Sequence, residues 1–334
     1  MAAITPNHLL REQLEERVRT VDKDVFDELA MDIFAYQSTQ NPVYAEFCQL
    51  LGRSTGNVHF PEEIPFLPIS LFKTHVLTTN AGSAEIVFES SATTGQVPGR
   101  HLVRDLAAYH RNARRGFHAV VGRPVSDFRW IALLPSYVER PNSSLVSMVS
   151  DFIAYGRSGS TFAGLDQIAD ITNSSDDPTI LITVSFALYD LVNAGIRHSD
   201  QLIVLETGGM KGRRTEATRA ELHALMQTSL KLPVVWSEYG MTELLSQAWS
   251  TGEGIFRSSP TLRLYTREVA DPTALQRAGS RGPLNCIDLA NLDSCSFIAT
   301  DDVGVVFPDG SFEVHGRLDA SELRGCNLMY PMMH

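Results

Sequence analysis

The sequence lacks the features that would place the protein in a membrane, in a secretory pathway or on nucleic acid. No apolar run approaches the ~20 residues that a membrane-spanning helix needs, and the first residues show no basic segment followed by an apolar one. Lys and Arg number 28 against 39 Asp and Glu, and the net charge of −11 offers little attraction for nucleic acid or an anionic membrane. We therefore expect a cytoplasmic protein with no membrane span and no nucleic-acid partner.

Cysteine is also scarce. The four cysteines form no Cys-x-x-Cys pair, which argues against a structural zinc site and a thioredoxin-like motif. There is no internal repeat and no low-complexity tract. With 334 residues, of which 43% are hydrophobic, the chain is long enough to bury a sizeable core. These observations predict a folded globular protein whose thiols are reduced.

The order of apolar patterns predicts the fold class. Residues 5–51 carry apolar side chains at helical spacings, and residues 60–253 alternate short apolar runs with helical patterns. This alternation predicts a mostly parallel sheet with helices on its faces, and such sheets bind ligands at the carboxyl ends of their strands. Residues 254–334 carry short alternating segments and an Asp309-Gly310 hairpin signal, which predict a small β-rich region. We therefore predict a single α/β core over residues 1–334.

Two local features carry their own expectations. Residues 69–73 follow a proline-rich stretch and are expected to be extended, because each proline disfavours helix in the residue before it. Thr215 is expected to cap a helix that runs to Lys231, although the acidic partner of a capping box is missing three residues later.

A hydroxyl-rich loop follows the short apolar strand at residues 86–88. Its sequence is Ser90-Ser91-Ala92-Thr93-Thr94-Gly95. Four hydroxyls and a run of backbone N–H groups suit the oxygens of a polyphosphate. An ordinary Ser/Thr-rich surface turn has the same composition, so this loop alone does not decide between the two interpretations.

A second cluster, Tyr239-Gly240-Met241-Thr242-Glu243, follows the apolar strand at residues 234–236. It places an aromatic ring, a glycine, a hydroxyl and a carboxylate within five residues. Hard oxygen ligands of this kind suit Mg²⁺, which also retains water and phosphate oxygens. The alternative is a strand-to-helix turn in which Thr242 caps the helix and Glu243 favours its dipole.

Together the two loops resemble the adenylate-forming superfamily of acyl-CoA synthetases, luciferases and adenylation domains. In that superfamily a Ser-Ser/Thr-Gly-Thr-Thr-Gly loop precedes a Tyr-Gly-x-Thr-Glu motif. Ala92 replaces the usual glycine and does not tolerate a positive φ, so the loop differs in detail. The lysine that usually follows this loop is absent, and Arg100 is the candidate for its positive charge.

Further segments extend the resemblance in the same order along the chain. Residues 207–210 lie where the superfamily has an adenine-contacting segment, residues 300–302 resemble its Thr-Gly-Asp motif, and residues 316–319 resemble its Gly-Arg-x-Asp hinge. The resemblance implies ATP and Mg²⁺ as cofactors. It implies that Thr242 contacts the α-phosphate and that Glu243 binds the metal. The ATP-binding residues that it implies are Ser90, Ser91, Thr93, Thr94, Gly95, Arg100, Gly208, Gly209, Glu238, Tyr239, Gly240, Asp302 and Arg317.

Within the superfamily the chain is similar to the LuxE-type acyl-protein synthetases, relatives of phenylacetate-CoA ligase. Residues 64–73, 208–213 and 322–326 carry this likeness. The chain ends soon after Asp319, so we expect it to lack the mobile C-terminal lid domain and the catalytic lysine of that domain. Lys211 is the candidate replacement for the missing cation, with an exposed loop lysine as the alternative.

The LuxE-type resemblance implies that the acyl group is passed to a cysteine near the C-terminus. Cys326 is the matching position, and a thiolate there would attack the acyl-adenylate and release AMP. A buried structural cysteine is the alternative.

The expected function is ATP-dependent activation of a carboxylic acid, including a fatty acid, followed by acyl transfer to a thiol. The expected acceptor is Cys326 or a partner, namely a reductase, a carrier protein or CoA. Two alternatives stay open. One is a free-standing acyl-CoA ligase or an enzyme that passes the adenylate to an amine or carrier protein, and the other is a non-catalytic nucleotide-binding subunit.

Overall fold

The computed structural model describes residues 6–79, 82–90, 97–134, 142–197, 199–208 and 218–318. The chain divides into two compact units. The first unit combines Met1–Gly82 with Pro260–His334, and the second consists of Ser83–Ser259. The first unit therefore contains both ends of the chain. The predicted single core over residues 1–334 stays a prediction.

Helices occur in both units. In chain order they are α1 (Pro6–Thr20), α2 (Phe26–Gln40), α3 (Pro42–Leu50), α4 (Leu71–Thr74), α5 (Leu106–Val121), α6 (Ser144–Tyr155), α7 (Ile168–Asn173), α8 (Leu188–Leu191) and α9 (Arg219–Leu230). No helix in the described ranges is both long enough and apolar enough to cross a membrane.

The strands of the first unit are β1 (Leu67–Pro68), β11 (Leu262–Thr266), β12 (Arg281–Asp288), β13 (Phe297–Val306) and β14 (Phe312–Arg317). Those of the second unit are β2 (Ile86–Glu89), β3 (Arg100–Val103), β4 (Arg129–Leu133), β5 (Thr161–Phe162), β6 (Thr179–Val184), β7 (Leu202–Thr207), β8 (Val235–Tyr239), β9 (Ala248–Ser250) and β10 (Arg257–Ser258).

The first unit packs the N-terminal helices on a five-stranded sheet of order β1-β13-β12-β11, in which β14 also pairs with β13. Aromatic rings join the layers: Phe297 of β13 lies 5.7 Å from the ring of Tyr44 and 6.2 Å from that of Phe34. The buried amide of Gln37 donates to the Asn291 carbonyl oxygen at 2.8 Å. The β13–β14 hairpin turns at Gly310, whose φ of 81° favours glycine. The hairpin lies where the Asp-Gly signal predicted it.

The second unit is built on a seven-stranded sheet of order β10-β9-β8-β7-β6-β4-β5, with a separate β2–β3 hairpin. Strands β4 to β8 are parallel, and β9 and β10 are antiparallel. Every residue of β6 is buried, as its continuous apolar run predicted. Two clusters of buried apolar side chains cover the sheet, one containing Phe117, Trp130 and Phe152 and the other Leu181 and Met226. The predicted α/β class with a mostly parallel, helix-flanked sheet is confirmed.

Two local expectations are wrong. Residues 69–73 are not extended: the strand β1 ends at Pro68, and after a turn α4 begins at Leu71, because no proline follows Pro68 there to disfavour a helix. Helix α9 is capped by Thr218, whose hydroxyl accepts from the backbone N–H of Glu221 while the Glu221 carboxylate accepts from the backbone N–H of Thr218. Thr215 lies outside the described residues. Glu221 lies three residues after Thr218 and completes its capping box, whereas Thr215 has no acidic residue at the corresponding position.

The capping box predicts a difference between two nearby threonines. Thr218→Ala removes the N-cap hydroxyl and should lower the free energy of unfolding by about 1 kcal/mol. Urea unfolding followed by circular dichroism measures this loss. Thr215→Ala is the matched control and leaves the cap in place. Equal destabilisation by both substitutions would contradict the assignment of the cap to Thr218.

Candidate functional site

Three neighbouring parallel strands end at the same edge of the second unit's sheet. The register pairs Val184 of β6 with Thr207 of β7, and Thr207 with Glu238 of β8. Gly208 follows β7 with a left-handed φ of 74°, a conformation that favours glycine. Ser185 follows β6, and its hydroxyl lies 2.5 Å from the Gly208 carbonyl oxygen. The segments predicted to bind ATP therefore begin at the carboxyl edge of the sheet.

The hydroxyl-rich loop connects the antiparallel strands β2 and β3, whose register pairs Glu89 with Arg100. Ser90 closes the base of this loop. Its backbone N–H donates to the Gly99 carbonyl oxygen at 2.9 Å, and its hydroxyl oxygen accepts from the Gly99 N–H at 2.7 Å. Arg100 is exposed at the start of β3. The two ends of the loop are thus held together at the base of the β2–β3 hairpin.

The Tyr239–Glu243 segment is a turn between antiparallel strands. Tyr239 ends β8, and the chain returns as β9, with Glu238 paired with Trp249. No helix begins at Thr242, so the helix-cap interpretation of Thr242 and Glu243 is wrong. Beyond the turn, the Asn112 side chain of α5 donates to the Leu245 carbonyl oxygen at 2.8 Å.

The hairpin and the turn come together at Gly99. A Cβ atom placed on Gly99 would lie 2.6 Å from Glu243 Oε1 and 3.2 Å from Ser90 Oγ. Two residues further along, His101 Nδ1 lies 2.8 Å from the Thr242 carbonyl oxygen, so the tautomer with a proton on Nδ1 donates to it. The structure therefore brings together Ser90, Thr242 and Glu243. Ser90 and Glu243 are 153 positions apart in the sequence.

The donor atoms at this junction fit a magnesium–phosphate group. Glu243 is a buried carboxylate, Ser90 supplies a hydroxyl, and the absence of a side chain on Gly99 lets both approach its backbone. Hard oxygens of this kind suit Mg²⁺. Within the described residues, no group of three or more His, Cys, Asp and Glu side chains could hold a metal alone. A magnesium ion here would therefore take its remaining ligands from phosphate and water.

Burial gives His101 and two carboxyl groups unusual pKa values. Burial lowers the pKa of His101 to about 4, against the opposing effect of its hydrogen bond to Thr242. Burial raises the pKa of Glu238 to about 7, with the Glu206 charge in the same direction and the Thr207 hydrogen bond opposing both. Burial would also raise the pKa of Glu206, but its hydrogen bonds and the charge of Arg219 outweigh this effect and lower it. At neutral pH, His101 is neutral and Glu206 is ionised.

Sequence reasoning missed His101 and Glu206. Each lies within a short strand among apolar residues, where alternation suggests core rather than site. A signal was present for Glu206, because a carboxylate in the apolar run of β7 needs a partner to be buried. His101 carried no comparable signal, since its partner is a backbone carbonyl oxygen 141 positions away.

Asp302 and Arg317 lie in the first unit. They are register partners on β13 and β14, and Arg317 Nε donates to Asp302 Oδ1 at 3.0 Å. Asp302 is buried, whereas the Arg317 side chain is 74% exposed. The Arg267 side chain donates to the carbonyl oxygen of Thr300 in β13 at 2.7 Å. The structure therefore joins two of the predicted ATP-binding residues in one ion pair.

Several predicted site residues lie outside the described residues. They are Ser91, Thr93, Thr94, Gly95, Gly209, Lys211 and Cys326. Their roles, like those of the described site residues, stay predictions.

The sequence is similar over most of its length to a known ligase. Over 344 aligned residues it is 24% identical to the long-chain-fatty-acid–luciferin-component ligase of Aliivibrio fischeri, an alignment that covers 92% of this chain and 88% of that protein. No protein-family profile matches the chain. The predicted LuxE-type resemblance is confirmed.

Solved structures of ligases share the fold. An open conformation of 2-hydroxyisobutyryl-CoA ligase with 2-HIB-AMP and CoA matches with a TM-score of 0.62 at 12% identity, over 88% of this chain and 70% of that one. ATP-bound MatB from Rhodopseudomonas palustris matches with a TM-score of 0.52 at 14% identity, over 71% and 49%. The Bacillus subtilis O-succinylbenzoate coenzyme A synthetase with ATP and magnesium matches with a TM-score of 0.51 at 16% identity, over 69% and 49%. The matches to the last two span about half of those chains. The predicted adenylate-forming fold is confirmed.

The neutral state of His101 predicts a pH effect on stability. A histidine whose pKa is about 4 when folded and 6.5 when unfolded binds its proton first in the unfolded chain. Stability is therefore lost as the pH falls through this window, by on the order of 3 kcal/mol. His101→Asn keeps an N–H donor for Thr242 and should remove this loss. Urea unfolding at several pH values measures the effect.

The exposed His59 provides the control for this experiment. His59→Asn should keep the wild-type pH dependence of unfolding. If His101→Asn also kept it, the assignment of the acid-sensitive group to His101 would be wrong.

Proposed function

From the likeness of the chain to a fatty-acid ligase and to the adenylate-forming fold, we propose that it activates a carboxylic acid with ATP. The acid's carboxylate oxygen attacks the α-phosphorus, the bond to the β-phosphate oxygen breaks, and the products are an acyl-adenylate and pyrophosphate. The observation that carries this proposal is the meeting of Ser90, Gly99 and Glu243. An acyl-CoA ligase, which differs in the acceptor, shares this first step.

The geometry supports distinct tasks for the chain's own residues. The resemblance assigns the Thr242 hydroxyl to an α-phosphate oxygen, and this assignment is supported by the hydrogen bond between His101 and the Thr242 carbonyl oxygen, which holds the turn. Ser90 closes the base of the hairpin loop, whose backbone N–H groups and hydroxyls are assigned to the other phosphates. Glu243 would hold magnesium, which neutralises phosphate charge when bound.

The roles of other residues are assigned by the resemblance alone. Asp302 and Arg317 would contact the ribose and the phosphates, and Tyr239 would pack beside the adenine. Lys211 would supply the cation that stabilises the charge of the transition state. The acid is proposed to be a long-chain fatty acid, because the A. fischeri relative is named for one.

Pyrophosphate exchange tests the first step. Incubation with MgATP, a panel of fatty, aromatic and short acids, and labelled pyrophosphate should return label to ATP. Glu243→Gln should lower the exchange rate on the order of 10²–10³-fold, because a charged oxygen donor is lost at the phosphates. The control Glu46→Gln changes an exposed carboxylate on α3 and should leave the rate unchanged. ATP binding without exchange for any acid would support the non-catalytic alternative and reject the proposal.

We further propose that the acyl group passes from the adenylate to the thiol of Cys326. The thiolate would attack the acyl carbon, AMP would leave, and a thioester would form. Mass spectrometry after incubation with MgATP and acid should show a hydroxylamine-labile adduct that Cys326→Ala abolishes. Cys48→Ala is the control and should keep the adduct, because burial raises the pKa of the Cys48 thiol to about 11. Acyl-CoA formation on addition of CoA, with no adduct, would favour the acyl-CoA ligase alternative.

A further inference from the structure

Two buried carboxyl groups lie on adjacent strands at the site edge, in opposite environments. Glu206 of β7 is 1% exposed and is surrounded by donors. Its Oε1 accepts from Arg219 Nε at 2.9 Å and lies 3.6 Å from His223 Nε2, and its Oε2 accepts from the Ser185 hydroxyl at 2.6 Å. A carboxylate with a cation and several donors keeps its charge even when buried.

Glu238 of β8 is 6% exposed. The Thr207 hydroxyl donates to its Oε2, and its Oε1 lies directly beneath the backbone of Gly240, where a Cβ atom would be 2.3 Å away. Within the described ranges, no ion pair joins Glu238 to a cation. A buried carboxyl group with one neutral donor favours its protonated form.

The groups around Glu238 are neutral or negative on each element that packs against it. From β7 it faces Thr207, the register partner, and the charge of Glu206 next to it. From β9 its register partner is Trp249, which does not titrate. The cation Arg219 and the imidazole of His223 on α9 are both engaged with Glu206. Among the described residues, a second negative charge at Glu238 would therefore oppose that of Glu206 without a compensating cation.

We propose that Glu238 is a positioning residue whose neutral carboxyl, wedged between Thr207 and Gly240, sets the conformation of the Tyr239–Glu243 turn. The ionised Glu206 on the neighbouring strand keeps that carboxyl neutral. The turn carries Thr242 and Glu243, so the proposal deepens the proposed function and depends on it only for its activity readout. The conformation of the turn should then depend on one proton.

The direction of the pH effect follows from the protonation states. Burial raises the pKa of Glu238 to about 7, and Glu206 acts in the same direction. As the pH rises above this value, Glu238 gains a charge beside that of Glu206, while its Oε1 lies close against the Gly240 backbone. The exchange rate at low MgATP should therefore fall about tenfold per pH unit above about 7.

Stability should change in the opposite direction from that expected for His101. Glu238 has an ordinary pKa of 4.5 in the unfolded chain, so between 4.5 and about 7 the folded chain alone binds the proton. Folding becomes less favourable as the pH rises through that window and is then constant. Relative to Glu238→Gln, the folding equilibrium constant of the wild type should fall on the order of a hundredfold across it.

The experiment compares the wild type with Glu238→Gln, Glu206→Gln and the surface control Glu46→Gln. Glu238→Gln mimics the neutral carboxyl, so its pH profile of kcat/KM for MgATP in pyrophosphate exchange should lose the alkaline fall. Glu206→Gln removes the neighbouring charge, which lowers the pKa of Glu238 and moves the fall to lower pH. Glu46→Gln should superimpose on the wild type.

Infrared spectroscopy supplies a readout that needs neither turnover nor the Glu206 variant. At slightly acidic pH, the wild type should show the C=O stretch of a protonated carboxyl that is absent from Glu238→Gln and disappears above neutral pH. Failure of exchange with every acid would reject the proposed function, while this band and the unfolding curves would still test Glu238. The proposal is overturned if the band is absent, or if the wild type and Glu238→Gln share one pH dependence of unfolding.

Discussion

The contact between the β2–β3 hairpin and the Tyr239–Glu243 turn is the constraint on which the candidate site depends. It has two parts: a hydrogen bond from His101 to the Thr242 carbonyl oxygen, and the close approach of Gly99 to the Glu243 carboxylate. These contacts hold the Ser90 hydroxyl and the Glu243 carboxylate beside each other. The rest of the second unit serves to hold these two segments in place.

The charges at the site edge depend on a few buried ionisable groups, each of which has different neighbouring side chains. His101 is buried beside the Thr242 carbonyl oxygen and stays neutral. Glu206 is buried with Arg219, and its charge is retained. Glu238 is buried next to the charge of Glu206 and accepts a hydrogen bond from the Thr207 hydroxyl. The negative charge of Glu206 therefore disfavours a second negative charge on Glu238. The same repulsion separates the pKa values of the acid and the base in paired carboxyl groups.

Local patterns predicted elements wherever burial follows from the residues alone. The apolar run of β6 is a fully buried strand, and the Asp309-Gly310 pair lies in the turn of a hairpin. Two predictions were wrong because another local signal determined where a helix begins. Thr218 caps α9 because Glu221 completes the capping box, and the chain after Pro68 turns into a short helix. The turn after Tyr239 returns as a strand because β9 pairs with β8, which no local pattern could reveal.

The sequence by itself determined the class of the fold and predicted the two candidate site segments, since each depends on residue types within a few positions of one another. It also placed them in the order that the LuxE-type resemblance requires. Only the tertiary structure decided that Ser90 meets Glu243 across Gly99, that His101 supports Thr242, and that Glu206 and Glu238 share one edge. These relations depend on strand order and register, which bring together residues that are far apart in the chain.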